Sequence, residues 1–239
     1  MPWAAGLRFL AEALRFVGYL AASVPACSAP TPIPASVVKA RRSAPVLRKP
    51  SVFPVENVFE RWDAAHLAAY PHELEQCRFV SCDFSGANLN NLLFIDCLFE
   101  RCNLASASLA NTGLQNVAFS ECKLSGVQFA VCREMLFGVH FERCQLHYAS
   151  FAGKRMPRTR FEHCTLHDAD FTNTDLTEAV FQECSLAGTV FEHTQLAGAD
   201  FTTAANFIID PTLNYLRKAR FSTAGLPGLV SQLGIVIED

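Results

Sequence analysis

The sequence lacks several features that would place it in a common functional class. Its formal net charge is only -3 over 239 residues. This is too small for general binding to nucleic acid or to a membrane surface, because both need concentrated basic charge. The sequence has no run of about 18 uncharged apolar residues, so it predicts no membrane-spanning helix. Half of the residues are nevertheless apolar, which is enough for a large buried core.

Catalytic and metal-binding signatures are also missing. There is no phosphate-cradling glycine loop, no nucleophile elbow and no zinc-ligand spacing. Ten cysteines are present, but no two of them form a C-x-x-C pair, the spacing typical of zinc and redox sites. The sequence therefore predicts a protein that is not an enzyme and holds no cofactor.

The N-terminal part contains two segments of different composition. Residues 1–24 are apolar but are interrupted by Arg8, Glu12 and Arg15. Three interpretations stay open for them: a secretory or lipoprotein-like signal, an organellar presequence, or a start codon assigned too far upstream. Residues 25–54 hold seven of the twelve prolines and five basic residues, as expected of an extended linker without a core. We expect a cytoplasmic protein, because unpaired cysteines suit reducing conditions.

Large apolar residues recur at every fifth position from Leu74 to Phe201, with one slip of two residues between Phe129 and Leu136. A five-residue step fits neither regular element. It rotates successive side chains by about 140° around a helix, and it sends them to opposite faces of a strand. The chain must therefore turn at every step. Two positions before each large residue there is usually Cys, Ala or Thr, so each step supplies one large and one small inward side chain.

Residue identity shows how many steps complete a turn of the coil. Every fourth large residue keeps its type, as in Phe79, Phe99 and Phe119. We therefore predict a four-sided coil of 20 residues, with about six coils over residues 74–205. Six cysteines then stack at one corner as small buried residues: Cys82, Cys102, Cys122, Cys144, Cys164 and Cys184. Cys132 lies inside the slip, and two interpretations stay open for it: an exposed thiol or a residue that fills a bulge.

Four five-residue phrases identify the repeat: GANLN (86–90), DADFT (168–172), NTDLT (173–177) and GADFT (198–202). They resemble the A(D/N)LXX repeat of the pentapeptide repeat family, and the resemblance extends over residues 74–205. It implies an all-β solenoid, a right-handed quadrilateral parallel β-helix, over residues 55–205. It also implies a C-terminal helical cap over residues 206–239. The tail resembles that of a bacterial branch whose members mostly lack an assigned function.

The resemblance also suggests a partner. Some members of the family, including the quinolone-resistance proteins, resemble duplex DNA in shape and charge and bind type II topoisomerases. The specific hypothesis is binding to DNA gyrase or topoisomerase IV through the acidic stretch of residues 161–205, which contains eight carboxylates and no Lys or Arg. The candidate partner-binding residues are Asp168, Asp170, Asp175, Glu178, Glu183 and Glu192.

Other interpretations of these features stay open. The carboxylates would also suit a solvated surface that keeps the rod soluble. The protein would then be a scaffold for a different protein partner, or a thiol-based sensor that uses Cys132. His147 and His167 are expected to stack on the outer surface as ordinary polar residues, since two imidazoles without a third ligand predict no metal site.

A basic corner precedes the acidic stretch and consists of Lys154, Arg155, Arg158 and Arg160. It would either dock an acidic partner or simply face solvent. Lys154 takes the place of a small inward residue, so the sequence predicts a local bulge there.

The tail predicts a covering helix. Asp210 is a good N-cap and Pro211 a good first residue, and Arg217, Lys218 and Arg220 would lie near the C-terminal end, where the helix dipole favours cations. Such a helix would cover the unpaired strand edges of the last coil. In characterised relatives such caps pair subunits, so the resemblance implies a homodimer through the cap.

Overall fold

The computed structural model describes residues 57–68 and 72–236 of the chain. The segments 1–24 and 25–54 of the sequence prediction lie outside these residues. The strands are β1 (Asn57–Glu60), β2 (Glu73–Glu75), β3 (Cys77–Val80), β4 (Leu93–Ile95), β5 (Leu98–Glu100), β6 (Gly113–Gln115), β7 (Val117–Ser120), β8 (Val139–Glu142), β9 (Arg160–Glu162), β10 (Val180–Gln182), β11 (Asp200–Phe201) and β12 (Arg220–Phe221). The helices are α1 (Ala64–Ala68), α2 (Pro227–Val230) and the 3₁₀ helices Phe129–Val131, Thr223–Gly225 and Ser231–Leu233.

The strands form two parallel sheets that make two sides of a solenoid. The larger sheet has the order β1-β3-β5-β7-β8-β9-β10-β11-β12, and the smaller one has the order β2-β4-β6. Strands pair at an offset of 20 residues, as in Phe79 with Phe99, and the offset becomes 22 where Phe119 pairs with Phe141. Isolated parallel bridges continue the remaining sides. The predicted parallel β-solenoid is confirmed, and the two-residue slip is the place where the offset changes.

The number of coils is higher than predicted. Nine strands stack in the larger sheet, which makes about eight coils instead of about six. The additional coils lie at the ends, where the five-residue pattern is weak. At the N-terminal end Phe59 stacks on Phe79 with ring centroids 5.2 Å apart, and at the C-terminal end Tyr215 bridges to Gln195. The irregular segments therefore join the solenoid, because their backbones pair with the last regular coil.

Columns of phenylalanine fill the interior. In the main column, Phe161 lies between Phe141 and Phe181 with ring centroids 5.2 and 4.9 Å apart and rings almost parallel. A second column meets the first edge to face, as Phe151 does with Phe161 at 6.0 Å. Burial of each ring stabilises the fold by about 1.5–3 kcal/mol, and the ring contacts add to this. The core is therefore a continuous stack along the solenoid.

The small inward residues also hydrogen-bond. The hydroxyl of Thr174 donates to the carbonyl oxygen of Phe151, one coil earlier, at 3.0 Å. The thiol of Cys102 makes the equivalent contact with the Phe79 carbonyl at 3.4 Å. A buried carbonyl oxygen needs a hydrogen-bond partner. A small side chain that carries a donor therefore suits this position better than a small apolar one.

The Asp or Asn of the repeat has a structural role at the corners. The carboxylate of Asp175 accepts hydrogen bonds from the backbone N–H of Thr177 at 3.1 Å and from its hydroxyl at 2.7 Å. Asp83 and Asp170 make the same backbone contact. Such Asx turns stabilise the chain reversal between sides.

The helix predicted from Pro211 is not formed. Asp210 accepts hydrogen bonds from Thr212 in an Asx turn, and β12 pairs with β11 at the usual offset. The reason is that the five-residue register continues through Leu216 and Phe221, so residues 206–222 gain strand pairing and ring stacking by forming another coil. The helical segment of the cap begins only at Thr223. There Gly225 and Gly228 lie so close to Phe207 that a β-carbon at either position would clash.

Candidate partner-binding surface

The six candidate carboxylates are distributed around the solenoid. Asp170 lies on the side that bridges Ser150 to Val190, and Asp175 lies on the next side, which bridges Arg155 to Gln195. Asp168 lies at the corner that leads to Asp170, and Glu192 follows Phe191, which stacks on Phe171 of the Asp170 side; both carboxylates are exposed. Glu178 and Glu183 are exposed at other corners. The structure therefore brings four of the six candidates, Asp168, Asp170, Asp175 and Glu192, onto two adjoining sides.

Arginines neutralise part of the acidic stretch. Two ion pairs link it to neighbouring coils, Glu178 with Arg158 at 2.8 Å and Asp200 with Arg220 at 3.0 Å, and a third joins Glu162 to Arg160 within β9 at 2.8 Å. Glu162 and Asp200 lie near the two ends of residues 161–205, and Glu178 lies near the middle. Glu183 contacts His163 at 3.1 Å, a pair that is charged on both sides only when the imidazole is protonated.

The basic corner is smaller than the sequence predicted. Arg158 and Arg160 are the arginines of two of those ion pairs, and Arg155 is exposed next to Asp175. Lys154 is only 3% exposed. Its amine donates to the Cys132 carbonyl at 2.6 Å, so Lys154 belongs to the interior. The predicted bulge at Lys154 is also wrong, because Arg155 keeps the regular bridge; the irregularity lies in the preceding coil.

The slip itself differs from the sequence prediction. The periodic pattern predicts that Leu136 points inward, but Leu136 is 71% exposed and adopts a positive φ of 58°. Phe137 packs against the core instead. Met135 is also exposed, so two apolar side chains stand on the outside of one turn. Sequence reasoning missed this pair, although Lys154 at a position for small residues was the signal that the coil is altered.

Cys132 is buried, which agrees with a residue that fills the slip and not with an exposed thiol. Its side chain is in the core, and burial raises the pKa of its thiol to about 12, although the Lys154 amine acts in the opposite direction. The thiolate is the reactive form of cysteine. The sensor hypothesis therefore loses its exposed, reactive group.

The other repeat cysteines behave as core residues. The nine cysteines in the described part of the chain are all buried and unpaired. Burial raises the pKa of Cys97 to about 12 and that of Cys144 well above its ordinary value. Among residues 57–68 and 72–236, no group of three or more His, Cys, Asp or Glu side chains is arranged to hold a metal ion. The ladder of thiols thus serves packing and hydrogen bonding.

The two histidines stack as predicted. The rings of His147 and His167 are 4.8 Å apart, and each ring contacts a hydroxyl of the next coil at 2.9 Å, on Thr165 and Ser185 respectively. These contacts orient both rings along the surface. None of the helices that the structure describes has the length and apolar character needed to span a membrane.

Comparison with known proteins identifies the family to which the repeat belongs. A family model described as a pentapeptide repeat region matches residues 72–151 and 127–201, together more than half of the 239 residues. The chain belongs to the pentapeptide repeat family. No curated protein matches it significantly in sequence.

Solved structures of other pentapeptide repeat proteins resemble this one. One trypsin-treated variant of QnrB1, a plasmid-mediated fluoroquinolone resistance protein, is 18% identical, with a TM-score of 0.53 over 76% of this chain and 95% of that one. A second is 17% identical, with the same TM-score over 77% and 97%. HetL of the cyanobacterium Nostoc sp. strain PCC 7120, a pentapeptide repeat protein involved in regulation of heterocyst differentiation, is 16% identical, with a TM-score of 0.41 over 64% and 77%. At this identity the likeness to QnrB1 shows a shared fold.

Proposed function

We propose that this pentapeptide repeat protein is a non-enzymatic protein-interaction module of the cytoplasm. Its partner would be a type II topoisomerase, DNA gyrase or topoisomerase IV, bound by mimicry of DNA through the acidic coils of residues 161–205. The observation that carries the proposal is the density of outward carboxylates on these coils. The shared fold with a fluoroquinolone resistance protein supports the choice of partner.

The charge density can be compared with that of duplex DNA. Residues 161–205 span a little more than two coils, or about 11 Å along the solenoid at the spacing of parallel strands. Five of the eight carboxylates lie outside the arginine pairs. B-DNA presents about six phosphates over the same length. The two densities are similar, so a site that binds the DNA backbone would meet comparable charge on this surface.

Two adjoining sides form the proposed contact. Asp170 and Asp175 are fixed by their Asx turns, whereas Asp168 and Glu192 are exposed and do not carry that backbone contact. Reversal of the last two charges changes the surface and leaves the Asx turns intact. These two residues are therefore the ones to substitute in a functional test.

The test is a gyrase supercoiling assay with the purified full chain, with and without a fluoroquinolone. We expect the protein to inhibit supercoiling or to protect gyrase from the drug. The Asp168→Lys and Glu192→Lys double variant should lose this effect by tenfold or more in the required concentration, because two repulsive contacts replace two attractive ones. A decatenation assay with topoisomerase IV and the same variants decides between the two enzymes.

A matched control separates local charge from overall charge. Glu73→Lys with Glu121→Lys makes the same net change at exposed positions in earlier coils. This control should act like the wild type. No effect of the wild type at tens of micromolar would remove both topoisomerases and leave a scaffold for another protein partner, and equal loss in both double variants would contradict a local contact.

The second part of the proposal is a homodimer formed through the cap. The C-terminal segment exposes apolar side chains around and after α2, with Leu226 49%, Leu233 67% and Ile235 56% exposed. Exposed apolar clusters of this kind favour association.

A further inference from the structure

Three departures from the repeat pattern coincide at the slip. The chain has two extra residues between β7 and β8, an apolar pair is on the outside, and a lysine is on the inside. At the other large inward positions from Leu74 to Phe201 the side chains are apolar and buried. Violations of local packing rules that occur together usually mark a functional or switching element.

Lys154 supports the slip from the interior. Its amine donates to the carbonyl of Cys132 at 2.6 Å and lies 5.4 Å from the centre of the Phe137 ring. Both of those residues belong to the slip. The remaining donors of a lysine amine need partners as well, and burial of an amine with few partners costs free energy. The interior position of Lys154 is therefore unfavourable by itself.

The five-residue period assigns Leu136 to an inward position that its side chain does not occupy. It precedes Phe141 by five residues, as Leu114 precedes Phe119 and Met156 precedes Phe161. Leu114 and Met156 are each 2% exposed, whereas Leu136 is 71% exposed. An exposed leucine forfeits the free energy that its burial would provide. The repeat pattern thus describes a second arrangement in which Leu136 is inside.

The rest of the slip is anchored at both ends. On one side, Arg133 donates from Nε to the Asn111 carbonyl at 2.8 Å. On the other side, the Gly138 N–H donates to the Leu114 carbonyl at 2.9 Å. Between these anchors the turn is closed by a single backbone hydrogen bond, from Phe137 N–H to the Glu134 carbonyl at 3.2 Å. Backbone hydrogen bonds therefore hold this turn only weakly, and its main contact with the core is the Phe137 side chain.

We propose that residues 134–137 form a two-state strap controlled by Lys154. In the open state, which the structure shows, Lys154 occupies the core and Met135 and Leu136 face outward. In the closed state Leu136 enters the column between Leu114 and Met156, and the Lys154 side chain moves into solvent. The strap regulates how much apolar surface this side of the solenoid presents to another protein, and it does so whatever the identity of that partner.

The experiment measures the acylation of Lys154 by N-hydroxysuccinimidyl acetate in the native full chain, quantified by peptide mass spectrometry. Lys154 reacts only when its amine reaches solvent. Alkylation of Cys144, which is 1% exposed, reports unfolding of the whole solenoid in the same sample. We expect Lys154 to be acylated at least about tenfold faster than global unfolding allows, because the closed state of the strap exposes its amine without unfolding the solenoid.

Two variants then identify the route. Leu136→Ser removes the side chain that fills the core in the closed state, so Lys154 acylation should fall by about tenfold toward the rate set by unfolding. Met135→Ser makes a similar polar change at a neighbour that is 75% exposed and should leave the rate unchanged. The exposed Lys123 should react equally in all samples and controls for the reagent.

Several outcomes would overturn the proposal. They are Lys154 acylation at the unfolding rate in the wild type, an unchanged rate in Leu136→Ser, or an equal fall in both variants. If Leu136→Ser unfolds the solenoid, Cys144 alkylation rises, and Leu136→Asn is used in its place under the same criteria.

Discussion

At the scale of single residues, each side chain in the solenoid combines a size with a hydrogen-bonding task. Thr174 and Thr194 fit the narrow position beside a ring and donate to the carbonyl of the coil before, at 3.0 and 2.9 Å. The cysteines do the same with a weaker donor. This explains why alanine, cysteine and threonine exchange at this position along the chain. The side chain must be small, and a thiol or hydroxyl gains a hydrogen bond in addition.

Thr174→Val tests the hydrogen bond separately from the size. The change keeps the volume and removes the donor to the Phe151 carbonyl, so the free energy of unfolding should fall by about 1–3 kcal/mol. Urea denaturation measures it. Thr172→Val, on the outward side of the same corner, is the control and should change stability by less than half as much. Equal effects would mean that the donor contributes nothing.

His140 makes stability depend on pH. Burial lowers the pKa of its imidazole below the ordinary 6.5, and Arg160 adds to this while Glu162 opposes it. The folded state therefore favours the neutral ring. Its stability contribution is present above the unfolded pKa and is lost as the pH falls from that value through the lower folded pKa. Between about pH 7 and about pH 5, the unfolding free energy of the wild type should fall more steeply than that of His140→Gln. Parallel curves would contradict this account.

At the scale of elements, the strands are short, and their stability comes from stacking between coils. β9 and β10 have three residues each, too few to be stable as an isolated pair. Each contributes one phenylalanine to a column and shares its backbone hydrogen bonds with both neighbours. An element in the middle of the column thus has two stacking partners, while one at the end has one.

Substitutions along the Phe column test this difference. Phe161 is fully buried between two rings, so Phe161→Ala should lower the unfolding free energy by about 3–5 kcal/mol. Phe221 ends the column, stacked on Phe201 at 5.3 Å and only partly buried. Phe221→Ala should cost clearly less. Chemical denaturation compares the two, and a similar loss at both positions would show that the column does not determine stability.

At the scale of the whole molecule, the ends of the described solenoid differ. The N-terminal coil carries Phe59, and α1 places the buried Leu67 beside the core. The C-terminal coil is followed by helical turns that expose Leu226, Leu233 and Ile235. The proposed acidic contact lies between them, on the last coils before the cap. A dimer formed through the cap would therefore bring two acidic surfaces into one particle.

The exposed apolar side chains of the cap predict a dimer, and polar substitutions there should weaken it. Leu233→Ser with Ile235→Ser removes apolar area from the exposed segment, and we expect the mass measured by light scattering to change from that of a dimer to that of a monomer. Val131→Ser, at an exposed position in the slip, is the control and should leave the dimer intact. A monomeric wild type would contradict the proposal.

The sequence by itself determined the solenoid. A five-residue period cannot be accommodated by a helix or a strand, and a period of 20 in residue identity defines four sides. The four-sided coil, the Phe columns and the cysteine ladder therefore follow from spacing, and the parallel β-helix follows from the resemblance to the pentapeptide repeat family. It also identified the acidic stretch, because the residues between the inward positions of the period face outward, and the carboxylates of residues 161–205 are among them.

Only the tertiary structure decided how many coils form, where the cap begins and which residue fills the core at the slip. The local sequence of residues 206–222 predicts a helix, but pairing with β11 makes these residues another coil of the solenoid. At the slip the structure buries Lys154 and exposes Leu136, and the five-residue period alone does not decide which arrangement satisfies more contacts. The 20-residue offset between coils brings together charges that are distant in the sequence, so the ion pairs of Glu178 with Arg158 and of Asp200 with Arg220 form only when the coils are stacked.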